Sequence, residues 1–166
     1  MVIKEVLSKL GFKMDEFSIC TPFFEATLKQ NDASKIASWM LFIELSTRVS
    51  TQPLHDMQGC EHTALESIYK LFDITRNILK EYGREAESFS MLSICMLNLC
   101  LRPFTSRWHR IFCDEVLSDH DKEVFRYELK ELQVKLLAFT ALLLQMSEVS
   151  DFSNIRINEL DRYLDI

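Results

Sequence analysis

Glycine and proline are scarce in this chain, three of each in 166 residues. A β-sandwich or a doubly wound sheet reverses direction at short intervals and needs those residues at its turns, so both architectures are excluded. A phosphate-cradling glycine loop is excluded on the same ground. No P-loop, dinucleotide fingerprint or G-x-S-x-G element occurs. Long hydrophobic runs are missing as well. The longest, Phe89 to Leu101, covers 13 residues and is interrupted by Ser93 and Asn98; a membrane span needs about 20. The first residues, MVIKEVLSKLGFKMDEF, have no apolar stretch of the secretory kind.

What is present is the material of helices. Hydrophobic residues make up 48% and charged residues 27%, a balance that supports a packed core and argues against disorder. The length suits one domain, 1–166, with a core bundle over about 33–147. Phe125, Leu129, Leu132, Leu136, Phe139, Leu143 and Met146 alternate in steps of four and three, which predicts a bundle helix over 120–147. Leu65, Ile68, Phe72, Thr75, Leu79 and Tyr82 predict another over 61–82, closed by Gly83. A third is expected over 33–48, capped by Asn31 or Asp32, with Ile36, Trp39, Met40 and Ile43 on its core face.

The fourth helix, about 88–101, is apolar nearly all round and is expected at the centre of the bundle. Pro103 predicts its end near Leu101–Arg102, with a further turn or two over Thr105–Val116. Short helical extensions are expected in 1–30 and 150–166, and a loop over 50–60. The expected fold is therefore all-α, a four-helix bundle with short additional terminal helices.

Five cysteines, an odd number without a secretory signal, read as reduced thiols of a cytoplasmic protein. The net charge of −6 argues against non-specific nucleic-acid binding by the whole surface. One segment departs from that balance. CLRPFTSRWHRIF, residues 100–112, holds Arg102, Arg107, Arg110 and His109 among Phe104, Trp108 and Phe112, with no acidic residue. Guanidinium groups beside rings suit phosphate contact and base stacking. The same residues also suit the closing of a bundle end, with the rings inside and the arginines on helix carbonyls and carboxylates. Arg48 and Arg76, beside apolar stripes on two other helices, are candidates to join Arg102 in an anion pocket. The binding candidates are thus Arg48, Arg76, Arg102, Arg107, Trp108 and Arg110. Asn98 and Arg76 each require a partner if buried.

Metal ligands are too few: neither His55, Cys60 and His62 nor His109 and Cys113 make four ligands at an established spacing. No metal and no cofactor is expected.

Arg102 to His109 is an R-x6-H spacing, repeated at Arg48 to His55. It resembles the R-x4–6-H motif of HEPN domains, which are helical bundles. That resemblance implies a metal-independent endoribonuclease, a toxin or immune effector composed across a dimer. His109 would move the proton and Arg102 would neutralise the phosphorane. Three longer stretches, WMLFIELSTRVSTQPL (39–54), LESIYKLFDITRNILKEYG (65–83) and LNLCLRPFTSRWH (97–109), together resemble an uncharacterised family of bacterial helical proteins, with LRPF-x3-WH as its most specific element. No activity attaches to that family, and relatives near bacterial defence genes suggest anti-phage or stress systems. The leading expectation is a non-enzymatic interaction or regulatory module with a protein partner, or a second copy of itself, and no membrane. The alternatives are the HEPN-like ribonuclease using Arg102 and His109, acting on RNA, and a sensor of a nucleotide or another anion.

Overall fold

The computed structural model describes residues 13–15, 18–21, 24–27, 31–51, 59–114 and 117–149. Its body is all-α, as expected. Helix α1 (Asp32–Thr47) is followed by a 3₁₀ turn (Val49–Thr51), α2 (Glu61–Tyr82), α3 (Glu87–Cys95), a π-helical turn (Met96–Leu101), α4 (Arg102–Asp114) and α5 (Asp119–Ser147). Because α3, the π turn and α4 follow without a break, the described residues form four helical rods. The most extensive contact is between α5 and α1, and α2 packs on both α1 and α4. No helix among the described residues is long and apolar enough to cross a membrane.

Local chemistry accounts for the helix ends. The Asn31 side chain accepts the Ser34 N–H at 2.8 Å and starts α1. Ser118 and Asp121 form a reciprocal capping box at the start of α5. Helix α2 closes at Gly83 in a right-handed conformation, and a side chain there would run into the Leu79 carbonyl oxygen.

The seam expected on α5 is entirely buried, and so is every residue from Leu136 to Leu144. This corrects one expectation: the second half of α5, not 88–101, is the helix surrounded on all sides. On α3 and the π turn, Ile94 and Leu99 are 48% and 42% exposed and Asn98 faces solvent. A second correction concerns α1. Its core face is Ala37, Ser38, Leu41, Phe42 and Leu45, while Ile36 and Ile43 are exposed and Trp39 and Met40 half-buried. Apolar residues occur all round α1, so periodicity names no single face.

Pro103 does not stop the helix. The Arg102 N–H reaches back to the Leu97 carbonyl, five residues away. This wider turn lies immediately before the proline, where a normal turn would press the ring against a carbonyl four residues back. The chain thereby continues into α4 without a break.

The described part of 1–30 is not helical. β1 (Lys13–Asp15), β2 (Ser18–Thr21) and β3 (Phe24–Thr27) form an antiparallel meander in the order β1-β2-β3, with Met14 opposite Ile19 and Ile19 opposite Ala26. Ile19, Thr21, Phe24 and Thr27 are β-branched or aromatic, and two-residue connections suit hairpins better than helices. The expected helix in 150–166 lies outside the described residues, as do residues 52–58 of the loop expected over 50–60, whose first residues belong to the 3₁₀ turn Val49–Thr51.

Candidate binding surface on α4

Segment 102–112 is helical throughout, and its two kinds of residue part to opposite sides. Phe104 and Trp108 point inward, 7% and 1% exposed. They meet Phe112 and Phe125 in a cluster in which Trp108 stands edge-on to Phe125 at 5.0 Å between ring centres, and Phe104 lies 5.4 Å from Phe125. Rings held this way close the bundle and offer no face to a base. The Trp108 Nε1–H donates to Glu128 Oε2 at 2.9 Å, which satisfies the one polar atom of the indole.

The cations face the other way, and they differ from one another. Arg107 is committed: it pairs with Glu128 Oε1 at 2.5 Å and covers the Trp108 ring, 5.6 Å from its centre. Arg102 and Arg110 are exposed, and neither has an ion pair or hydrogen bond among the described residues. They lie eight residues apart with exposed Ser106 between them, on one side of the helix.

His109 shares that outer side. Its Nε2 lies 3.9 Å from Cys113 Sγ, and its ring meets the edge of Tyr69 at 6.0 Å. The Tyr69 hydroxyl donates to the Thr105 carbonyl at 3.1 Å, and burial, with Cys113 nearby, pushes its phenol up. Arg102 and His109 are seven residues apart, about 10 Å along one helix. Both are accessible to a common partner from outside.

The other candidates are engaged locally. Arg48 pairs with Glu44 at 3.1 Å and donates to Ser67 Oγ at 3.4 Å, which in turn accepts from Ser50. Arg76 is exposed, pairs with Asp73 at 3.2 Å and lies over the Phe72 ring. Each therefore already has its own carboxylate. Asn98 is exposed and needs no buried partner. His55 lies outside the described residues. Among those described, no three His, Cys, Asp or Glu side chains are grouped to hold a metal ion.

Two carboxylates that organise this end of the molecule were not anticipated. Glu128 takes both Trp108 and Arg107. Glu61, at the start of α2, accepts from Arg126 Nε at 2.7 Å, and Arg126 also reaches the Gly59 carbonyl. The only sequence signal was the position of Glu128 and Arg126 beside the Phe125–Leu129 seam, where a charge must either leave for solvent or find a partner. No protein-family model, no curated protein and no solved structure matches this chain.

Proposed function

We propose that the protein is a non-catalytic helical docking module that binds an acidic surface of a protein partner through the outer side of α4. A single observation carries this reading. In a chain of net charge −6, Arg102 and Arg110 are exposed and have no ion pair among the described residues, while the rings between them are inside. A desolvated carboxylate pair supplied by a partner would complete them with bidentate bonds. The resemblance carried by LRPF-x3-WH suggests the setting, a subunit of a bacterial multi-protein system of the anti-phage or stress kind.

The second reading is the HEPN-like ribonuclease, favoured by the common exposed side of Arg102 and His109. Loss of the rings to the core removes the base-stacking support it would have had, so the docking reading is preferred.

One experiment separates the two. The tagged protein is expressed at native level in a cell carrying its own neighbouring genes, alongside Arg102→Glu/Arg110→Glu and His109→Ala. Docking predicts a stoichiometric protein partner with the wild type and with His109→Ala. It predicts none with the double variant, whose Tm stays within about 2 °C of wild type because both sites are exposed. Metal-independent RNA cleavage by the wild type, lost in His109→Ala with the fold intact, would replace docking with the nuclease.

A further inference from the structure

Four side chains in the core break the rule that buried polar groups find partners. Ser34, Ser38, Thr75 and Ser93 are all 0% exposed, and their hydroxyl oxygens have no hydrogen-bond partner among the described residues. A hydroxyl inside a helix normally escapes this cost by bonding to its own preceding turn. Others in this protein do so: Thr47 to Ile43, Thr105 to Leu101, Thr140 to Leu136 and Ser147 to Leu144, at 2.7–2.9 Å. The four exceptions lie on α1, α2 and α3.

Their positions along the bundle coincide. One corner of the molecule ties three helix ends together. The Asn31 Nδ2–H donates to the Glu85 carbonyl at 2.7 Å, and the Ala86 N–H donates to the Tyr82 carbonyl at 2.8 Å. From Asn31 to Ser38, from Tyr82 back to Thr75, and from Ala86 to Ser93 the chain advances seven residues in each case. At 1.5 Å per residue each hydroxyl-bearing residue is about 10 Å from that corner. Three helices therefore bring a buried hydroxyl to one level, with Ser34 one turn nearer the corner. Helix α5, tied to this end of α1 by the 2.7 Å Lys35–Glu148 pair, brings leucines such as Leu143 and Leu144.

We propose that Ser38, Thr75 and Ser93 form a buried hydroxyl layer that binds ordered water. The donor set selects the ligand. Three neutral hydroxyls can each donate and accept, as a water molecule needs for the three or so bonds that buried waters make. No charged side chain is among the four to hold an ion. A water shared by α1, α2 and α3 fixes their axial register, which an all-leucine level would leave to packing alone.

The test is a high-resolution crystal structure of the full chain, with melting curves of Thr75→Val, Thr75→Ser, the triple variant Ser38→Ala/Thr75→Val/Ser93→Ala, and Ser106→Ala. The exposed Ser106 reports the gain in helix propensity that any Ser→Ala change brings. The expected result is a water within hydrogen-bond distance of at least two of the three hydroxyls, retained in Thr75→Ser. Thr75→Val, nearly the same shape without the hydroxyl, lowers Tm by about 3 °C or more, because it strips the water of a partner. The triple variant expels the water and melts no lower than Thr75→Val. A layer without water would overturn the proposal, and so would Thr75→Val melting above the wild type. Should Thr75→Val fail to fold, the presence or absence of the water in the wild-type structure decides alone.

Discussion

Trp108 and Glu128, twenty residues apart on α4 and α5, share a 2.9 Å hydrogen bond at the edge of the aromatic cluster. The bond explains how an indole 1% exposed keeps its N–H satisfied. Removing the acceptor should expose the cost. Glu128→Ala is expected to lose about 1–3 kcal/mol, because the indole N–H is left unpaired in the core. Glu128→Gln keeps an acceptor and should lose clearly less. Urea unfolding followed by tryptophan fluorescence measures both, and equal losses would show that the charge, not the hydrogen bond, matters.

Among the described residues, the Glu61–Arg126 pair is the best shielded of the long-range ion pairs, with side chains 13% and 23% exposed. Water therefore screens it incompletely. Arg126→Ala strands the carboxylate and should cost about 2 kcal/mol. A double-mutant cycle with Glu61→Gln should return a coupling of about 1 kcal/mol or more, surviving 1 M salt. A coupling that vanishes in salt would place the pair among ordinary surface contacts.

Acid should weaken the cap at the start of α5. The Ser118 hydroxyl and backbone N–H hold the Asp121 carboxyl below its usual range, and the Lys122 ammonium does the same for Asp119. A carboxyl depressed in the folded state stabilises above its unfolded pKa, and that contribution is lost as pH falls through the folded value. The Tm of the wild type should therefore drop as pH falls from 6 toward 3. Ser118→Ala should start lower at pH 6 and drop by less. Parallel curves for the two proteins would rule out the cap as the source.

Thiol reactivity should follow position rather than sequence order. Cys60 is exposed just before α2, where the Thr63 and His62 backbone N–H groups lower its pKa, while burial pushes the Cys100 thiol up. Iodoacetamide at pH 8 should modify Cys60 well before Cys100, since the thiolate is the reacting form. Mass spectrometry of a time course reads the order directly, and Cys100 reacting first would mean that the π turn opens in solution.

Much of the fold was legible in residue order. Few breakers and strong 3.6-residue periodicity marked the helices, and α2 spans 61–82 as its apolar spacing implied. The α5 seam was legible because its apolar residues recur on one stripe flanked by charges. The extent of α1 was legible too, but its core face was not, because apolar residues surround it and only its neighbours choose the face that is buried. The passage of the helix through Pro103 was hidden for a related reason. The five-residue hydrogen bond at Arg102 depends on a turn geometry that no residue type announces.

The candidate surface divides along the same line. Sequence alone determined that residues 100–112 concentrate arginine and aromatic side chains on a chain otherwise acidic, since composition and local spacing are properties of the order of residues. Tertiary structure decided that Phe104 and Trp108 go inside, that Arg107 is spent on Glu128, and that Arg102 and Arg110 are exposed with no ion pair among the described residues. Those outcomes depend on Phe125 and Glu128 arriving from another helix, and burial and ion pairing are set by what lies across the gap, not by what lies next in the chain.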